Sequence, residues 1–166
     1  MELTYGRYLK VEELLQLQQP QSEGPEHDEM LFIIIHQVYE LWFKQILHEL
    51  EKLKSSFQEG EGGKALHTLK RIRSILKVLV SQVDVLETMT PLEFLSFRER
   101  LQSASGFQSC QFRELEFTLG LKNPKHLEHY PQGSEERNRL EKKWRNLFYG
   151  RFSSSFFPAL EMISQN

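Results

Sequence analysis

One long helical segment, from about Glu26 to Phe57, limits most strongly what this chain can fold into. Its first half, MLFIIIHQVYELWF (30–43), is apolar on nearly every side, so we expect it to be buried on every side. Its second half, 44–54, has apolar residues at three- and four-residue spacing, which predicts one solvated face. No segment of the chain has hairpin chemistry, so we expect the neighbours of this helix to be helices as well.

The remaining sequence predicts shorter helices on both sides of this segment. Residues 2–19 predict a short or broken helix with an extended TYGRY start, and Lys64–Glu87 predicts a long amphipathic helix. Residues 123–133 indicate a loop, after which Ser134 caps a helix with the sequence EERNRLEKKWRNLFYGRF. A short apolar piece, FFPALEMI (156–163), follows near the end.

Two capping signals define the helices between these segments. Thr90 followed by Pro91 and Glu93 predicts a helix start, and that helix should end near Leu101. Ser105 and Gln108 repeat the capping-box spacing and predict a helix over 106–119, which Gly120 would end.

Length and composition favour one all-α domain over residues 1–166, a bundle of about five to seven helices. Of the 166 residues 39% are hydrophobic, and 12 are Phe, which suits helices packed through aromatic faces. A net charge of -2 gives no reason to expect a nucleic-acid or membrane partner. The one cysteine, Cys110, rules out an internal disulfide, and the N-terminus lacks the pattern of a signal peptide, so we expect a cytoplasmic protein.

Two aromatic–polar pairs predict a ligand pocket. His36 lies four residues after Phe32 in the apolar helix, and Arg98 lies four residues after Phe94, so each pair shares a helix face. A buried imidazole needs a partner for each ring nitrogen, and a partly buried guanidinium usually binds a carboxylate. These residues suit a small planar ligand with a carboxylate. The alternatives are a core histidine bonded to a backbone carbonyl and an arginine paired with a nearby acid.

Other polar residues have simpler explanations. Ser105 is accounted for as a helix cap, and Tyr5 and Tyr8 as surface residues, although tyrosines at that spacing also suit docking onto a partner. The acidic cluster 26–29 is typical of a solvated helix start, and no metal site is expected there or elsewhere. We expect Cys110 to be a core residue. The remaining histidines, which lack metal-site spacing, should lie on the surface: His48, His67, His126 and His129.

Three strings carry a close resemblance to a known family. They are LTYGRYLKVEELLQLQ, HDEMLFIIIHQVYELWFKQILHEL and LKVLVSQVDVLETMTPLEFLSFRERLQSASGFQSCQFRELEF. Together they resemble the tryptophan 2,3-dioxygenase family over residues 1–125, and residues 126–166 are expected to form a divergent helical tail.

The resemblance implies an all-helical protein that binds haem b and converts L-tryptophan and O2 to N-formylkynurenine in tryptophan catabolism. It makes His36 the catalytic residue, which hydrogen-bonds the indole N–H, and it makes Arg98 the partner of the substrate carboxylate. It also implies a homo-oligomer, a dimer or tetramer. The other implied site residues are Phe32, Phe94 and Leu101 around the substrate, Ser105 near the haem, and Tyr5 and Tyr8 reaching in from a partner subunit.

The sequence departs from the family pattern on the other side of the haem. Relatives carry the axial histidine in a C-terminal helix, followed by a Gly-Thr-Gly-Gly-Ser-type loop. Neither feature occurs here, and the last histidine is His129 in HLEHYPQG. Three hypotheses remain open: the N-terminal part of an enzyme that needs a second polypeptide for the axial histidine, a module that binds tryptophan, an indole or haem without oxidation, and an oligomerisation domain.

Overall fold

The computed structural model describes residues 2–24, 26–102 and 104–145, and within these residues the chain is helical and contains no strand. The all-α prediction is therefore confirmed. Two 3₁₀ turns, Glu99–Leu101 and Gly106–Gln108, supplement the α-helices of the described residues, which are α1 (Tyr5–Leu9), α2 (Val11–Leu14), α3 (His27–Gln58), α4 (Gly62–Leu86), α5 (Pro91–Arg98), α6 (Cys110–Leu119), α7 (Lys125–Glu128) and α8 (Glu135–Arg145).

The main core lies between α3, α4 and α6. Helices α3 and α4 form an antiparallel hairpin whose link bends at Gly60, where a φ of 74° lies in the left-handed region that glycine adopts without strain. Ile46, Ile72 and Leu79 are completely buried between the two helices. Helix α6 closes the core through Leu115 and through Phe112, whose ring centroid lies 5.3 Å from that of Phe43.

The expectation that the first half of α3 is buried on every side is wrong for this chain. Met30, Ile34 and Leu41 are 38%, 42% and 52% exposed, because α4, α5 and α6 pack on the other side of the helix. Ile35 and Phe43 on the packed side are buried.

The start of α5 follows the sequence prediction, and the start of α6 does not. Thr90 Oγ1 accepts from the backbone N–H of Glu93, and the Glu93 carboxylate accepts from the N–H of Thr90, which completes the capping box.

The helix expected over 106–119 begins later. Residues 106–108 form a 3₁₀ turn, and Ser109 rather than Ser105 caps α6, accepting from the N–H of Phe112 at 3.1 Å. Gly120, with a φ of 100°, ends α6 as expected.

Helices α7 and α8 pack against α6 through a second, smaller core. Tyr130 and Leu140 are buried there beside Phe117. Ser134 caps α8 as predicted, accepting from the N–H of Arg137. Helix α7 is a single turn within the segment expected to be a loop. The predicted continuation of α8 beyond residue 145 and the apolar piece 156–163 lie outside the described residues.

The N-terminal segment is the broken helix that the sequence predicts, although TYGRY is helical from Tyr5 rather than extended. Lys10, in the left-handed conformation with a φ of 52°, separates α1 from α2. Neither helix contains a buried residue. No helix among the described residues has the length and apolarity that crossing a bilayer requires.

Candidate functional site

A cavity of about 230 Å³ opens where α3, α4, α5 and α6 meet. That volume is many times the ~10–15 Å³ that one water needs. Six of the residues expected at the site line it together, although they come from separate segments: Phe32, His36, Phe94, Arg98, Leu101 and Ser105. The cavity is therefore large enough for a small organic ligand.

Aromatic rings form one wall of the cavity. The ring centroid of Phe32 lies 4.1 Å from that of His36 and 5.8 Å from that of Phe94. Behind them Phe97 is completely buried, with its ring 5.6 Å from Phe32 and edge-on to Phe94 at 5.5 Å. The rings of Phe32 and Phe94 are tilted by 35° to each other, and packing against Phe97 restrains them, so the wall presents an apolar aromatic surface to a ligand.

The hydrogen bonding of His36 sets its chemistry. Its Nδ1 lies 2.7 Å from the carbonyl oxygen of Phe32. A carbonyl can only accept, so Nδ1 carries the proton, and in the neutral ring Nε2 is an acceptor. A Cβ at Gly106 would lie 3.9 Å from Nε2, which places this nitrogen against the glycine wall of the cavity. The backbone-bonded alternative therefore holds for one ring nitrogen only, and the other is available to an N–H donor.

Arg98 provides positive charge at the cavity. Its Cζ lies 6.0 Å from the centroid of the Phe94 ring, and Nη1 donates to the carbonyl oxygen of Gln102 at 3.4 Å. The residue is exposed, more open than the sequence indicates, because α5 buries only Phe97. None of the ion pairs formed among residues 2–24, 26–102 and 104–145 involves Arg98. Of the acids near it in sequence, Glu93 is bonded to the cap of α5, and Glu99 forms none of these ion pairs either.

The other expected site residues divide into two groups. Leu101 and Ser105 lie at the cavity, with Ser105 in the turn that leads to Gly106. Tyr5 and Tyr8 do not line this cavity, and at 78% and 71% exposed they project from α1 into solvent.

The structure adds cavity residues that the sequence interpretation missed. Tyr39 and Phe43 follow Phe32 and His36 on α3 at helical spacing, a signal the sequence did contain. Glu40 also lies on α3, four residues after His36. The others come from α4 and from residues 104–113, and only the fold brings them in. The residues missed are Tyr39, Glu40, Phe43, Val83, Leu86, Ala104, Gly106, Ser109, Phe112 and Arg113.

Some of these additional residues add polar groups to the cavity. The side-chain amide of Gln111 donates to the carboxylate of Glu40 at 2.8 Å and to its carbonyl oxygen, which joins α6 to α3. Arg113 is buried and donates to Glu116 at 2.6 Å. Tyr39 donates to the Leu79 carbonyl oxygen at 2.9 Å, and burial raises the pKa of its hydroxyl. The cavity lining therefore combines an apolar aromatic wall with polar groups that are already hydrogen-bonded within the protein.

The polar groups set aside on sequence grounds do not line the cavity. In the acidic cluster 26–29, His27 is exposed but Glu29 is only 1% exposed, so the solvated interpretation is wrong for Glu29. Cys110 is half-buried, and burial raises the pKa of its thiol despite the guanidinium of Arg139 at 3.3 Å. His126 is partly buried beside Glu116. Within the part of the chain that the structure describes, no three of the His, Cys, Asp and Glu side chains are arranged to hold a metal ion.

Comparison with known proteins identifies the family. The family model described as tryptophan 2,3-dioxygenase matches residues 1–147, further than the resemblance seen in the sequence. The chain is 58% identical over 142 residues to the tryptophan 2,3-dioxygenase of Herpetosiphon aurantiacus, covering 86% of this chain and 54% of that protein. It is 59% identical to that of Anaeromyxobacter sp. (83% and 51% covered) and 47% identical to that of Xanthomonas oryzae pv. oryzae (83% and 46%). The chain thus spans about half the length of the curated relatives it matches.

Proposed function

Because the chain belongs to the tryptophan 2,3-dioxygenase family, we propose that it forms the substrate-binding side of a site for haem-dependent oxidation of L-tryptophan by O2 to N-formylkynurenine. The observation that carries the proposal is the convergence of an aromatic wall, an acceptor nitrogen and a cation on one cavity. These three features match the indole ring, the indole N–H and the carboxylate of tryptophan.

His36 orients the indole. With Nδ1 donating to the Phe32 carbonyl oxygen, Nε2 accepts the hydrogen bond of the indole N–H. The proton stays on the indole nitrogen in this complex. An indole whose nitrogen is methylated leaves Nε2 without a partner, so the site favours the unsubstituted ring.

Arg98 binds the other end of the substrate. A guanidinium that is free of ion pairs among the described residues can pair with a carboxylate through two parallel N–H donors. The Phe94 ring under its Cζ restricts the side chain to one side of the cavity. Arg98 and His36 together fix the substrate at both ends, and the aromatic wall between them excludes water from the ring.

The residues of this chain fit the substrate better than they fit a complete haem site. All six histidines lie in the described residues, and His36 is the one that lines the cavity. His36 is assigned to the substrate, so a residue that would hold the haem iron would come from outside the described residues. Haem, when bound, supplies the oxygen chemistry. The role of this chain is to bind and orient tryptophan.

Calorimetric titration with L-tryptophan tests the binding role directly. We expect Arg98→Ala to weaken binding by about tenfold or more, because a hydrogen-bonded charge pair is lost. Arg73→Ala is the matched control, since Arg73 is an exposed arginine on α4 away from the cavity. Equal affinity in wild type and Arg98→Ala would exclude the carboxylate contact, and no binding to either would exclude the substrate site in this chain.

A second candidate function is a module that binds tryptophan or another indole without oxidising it. The presence of one histidine at the cavity favours it. Addition of haemin tests whether this chain is an enzyme without a second polypeptide. A Soret band typical of histidine ligation, with N-formylkynurenine absorbance after tryptophan, ascorbate and O2 are added, would exclude the module. Tryptophan binding without either signal would exclude an enzyme that acts alone.

We further propose that the chain acts as a homo-oligomer in which Tyr5 and Tyr8 enter the site of a partner subunit. The exposure of both tyrosines on a segment that buries no residue supports this role. Analytical ultracentrifugation over a concentration range measures the assembly. A monomer at all concentrations would refute it.

A further inference from the structure

The N-terminal arm, residues 2–16, has little contact with the rest of the chain. Each of its residues is exposed except Val11, which is partly buried. It nevertheless carries large apolar side chains, among them Leu3, Tyr8 and Leu15, each about 70% exposed. A segment of this kind takes a defined direction only if the residues that follow it are fixed to the body of the protein.

Glu29 fixes the segment that follows the arm. Its carboxylate accepts from the backbone N–H of Gln21 at 2.6 Å and from that of Ser22 at 3.1 Å, one oxygen for each donor. Glu29 is only 1% exposed. Burial favours the neutral acid, but the two backbone donors and the positive charge of Arg100 outweigh it, so the pKa of Glu29 is lowered and the carboxylate is charged.

Gln37 holds the same segment two turns further along α3. Its side-chain amide donates to the carbonyl oxygen of Leu17 at 3.0 Å and accepts from the amide of Gln18 at 2.5 Å. Gln18 also donates to the carbonyl oxygen of Leu14, the last residue of α2. Residues 17–22 are therefore bonded to α3 at two points, and through Gln18 the attachment reaches the arm itself.

This attachment lies next to the cavity. Glu29 precedes Phe32 by three residues and His36 by seven, a spacing that places all three on one side of α3. Arg100, whose positive charge helps to lower the pKa of Glu29, belongs to the 3₁₀ turn that also carries Leu101 of the cavity wall. Both the aromatic wall and the turn after α5 therefore adjoin the point where the arm leaves the protein.

We propose that Glu29 and Gln37 are positioning residues that fix the direction in which the N-terminal arm leaves the body, with Glu29 as the principal contact. The proposal rests on the proposed function in one respect: the arm carries Tyr5 and Tyr8 to the substrate site of a partner subunit. Two bonds to one buried, charged acceptor hold the segment more firmly than neutral contacts would. The arm then leaves the body in one fixed direction, so less conformational entropy is lost when it docks.

The test compares Glu29→Gln with Glu23→Gln, a matched control that neutralises an exposed acid in the same segment. Each backbone donor bonds its own carboxylate oxygen, and glutamine replaces one of these oxygens with an NH2 group that cannot accept, so one donor loses its partner. Amide exchange at Gln21 and Ser22 is followed by NMR. Spin labels at Glu13→Cys and Ser74→Cys, both exposed positions, report the distance from arm to α4 in a Cys110→Ser background.

We expect Glu29→Gln to exchange about tenfold faster or more at Gln21 or Ser22, the loss expected for a hydrogen bond to a charged acceptor. We also expect its spin–spin distance distribution to broaden, while Glu23→Gln matches wild type in both. A merely structural carboxylate would lower the melting temperature and leave the distribution unchanged, which would overturn the proposal. A distribution equally broad in wild type would overturn it as well.

These measurements need neither tryptophan nor a partner. Broadening in Glu29→Gln together with absence of tryptophan binding would therefore remove the proposed function and keep the positioning role. Tryptophan binding together with an unchanged spin–spin distance distribution in Glu29→Gln would keep the proposed function and remove the positioning role.

Discussion

Replacing Gly106 with alanine separates recognition of the indole N–H from folding. The backbone at Gly106 lies outside the left-handed region, and the new Cβ would meet Nε2 of His36 at 3.9 Å, an ordinary contact. Folding should therefore be unchanged or slightly favoured, by up to ~1 kcal/mol, because alanine reduces the freedom of the unfolded chain. The indole N–H of the substrate, in contrast, should lose access to Nε2 of His36 from the side of Gly106.

The geometry gives the size of this effect. An N–H donor sits ~2.9 Å from its acceptor, and carbon and nitrogen atoms come into contact at ~3.5 Å. With the Cβ 3.9 Å from Nε2, a donor approaching within about 60° of the Nε2–Cβ line would overlap the methyl group. Losing this one hydrogen bond costs ~1–2 kcal/mol, so tryptophan should bind about 5- to 30-fold more weakly.

Calorimetry with L-tryptophan and 1-methyltryptophan provides the assay. The methylated ligand has no N–H to donate, so its affinity should fall less in Gly106→Ala, and the preference for tryptophan should shrink. Gly63→Ala is the matched control, because a Cβ at that helical position meets nothing within 4 Å. If Gly106→Ala binds tryptophan as wild type does and keeps the same preference, the assignment of Nε2 as the indole acceptor is refuted.

Three further predictions concern folding and the N-terminal segment. Leu79 is completely buried, so Leu79→Ala should lower the free energy of unfolding in urea by ~2–5 kcal/mol. Leu66 on the same helix is 54% exposed, so Leu66→Ala should change that free energy by less than ~0.5 kcal/mol. Thr90→Ala should cost ~0.5–2 kcal/mol through loss of the capping box, and an unchanged urea midpoint would contradict the role of that cap. The folded pKa of Glu29 is lowered from 4.5, so the stability that its ionised carboxylate contributes is complete above pH 4.5 and is lost as the pH falls through the folded pKa. Amide exchange of residues 21–22, corrected for intrinsic rates, should therefore accelerate only in that acid range. Acceleration already at neutral pH would contradict this role of the carboxylate.

The local elements of the fold follow from short-range chemistry and could be predicted. Helix α3 runs over His27–Gln58, close to the 26–57 segment, because helical periodicity and breakers act within a few residues. The Thr90 cap and the Gly120 end are equally local. The start of α6 was wrong because Ser105 has the capping-box spacing to Gln108, whereas Ser109, which is followed three residues later by Phe112, lacks it and yet caps α6 after the 3₁₀ turn at 106–108.

By itself the sequence determined that this is an α-helical chain of the tryptophan 2,3-dioxygenase family. It also determined that His36 lies one helical turn after Phe32 and that Arg98 lies one turn after Phe94. Tertiary structure alone decided that these pairs, more than sixty residues apart in sequence, share one cavity with Gly106. It also decided that an acid at the start of α3 is buried against two backbone N–H groups. Periodicity records which side of a helix a residue occupies. Which other segment meets that side depends on packing between distant parts of the chain.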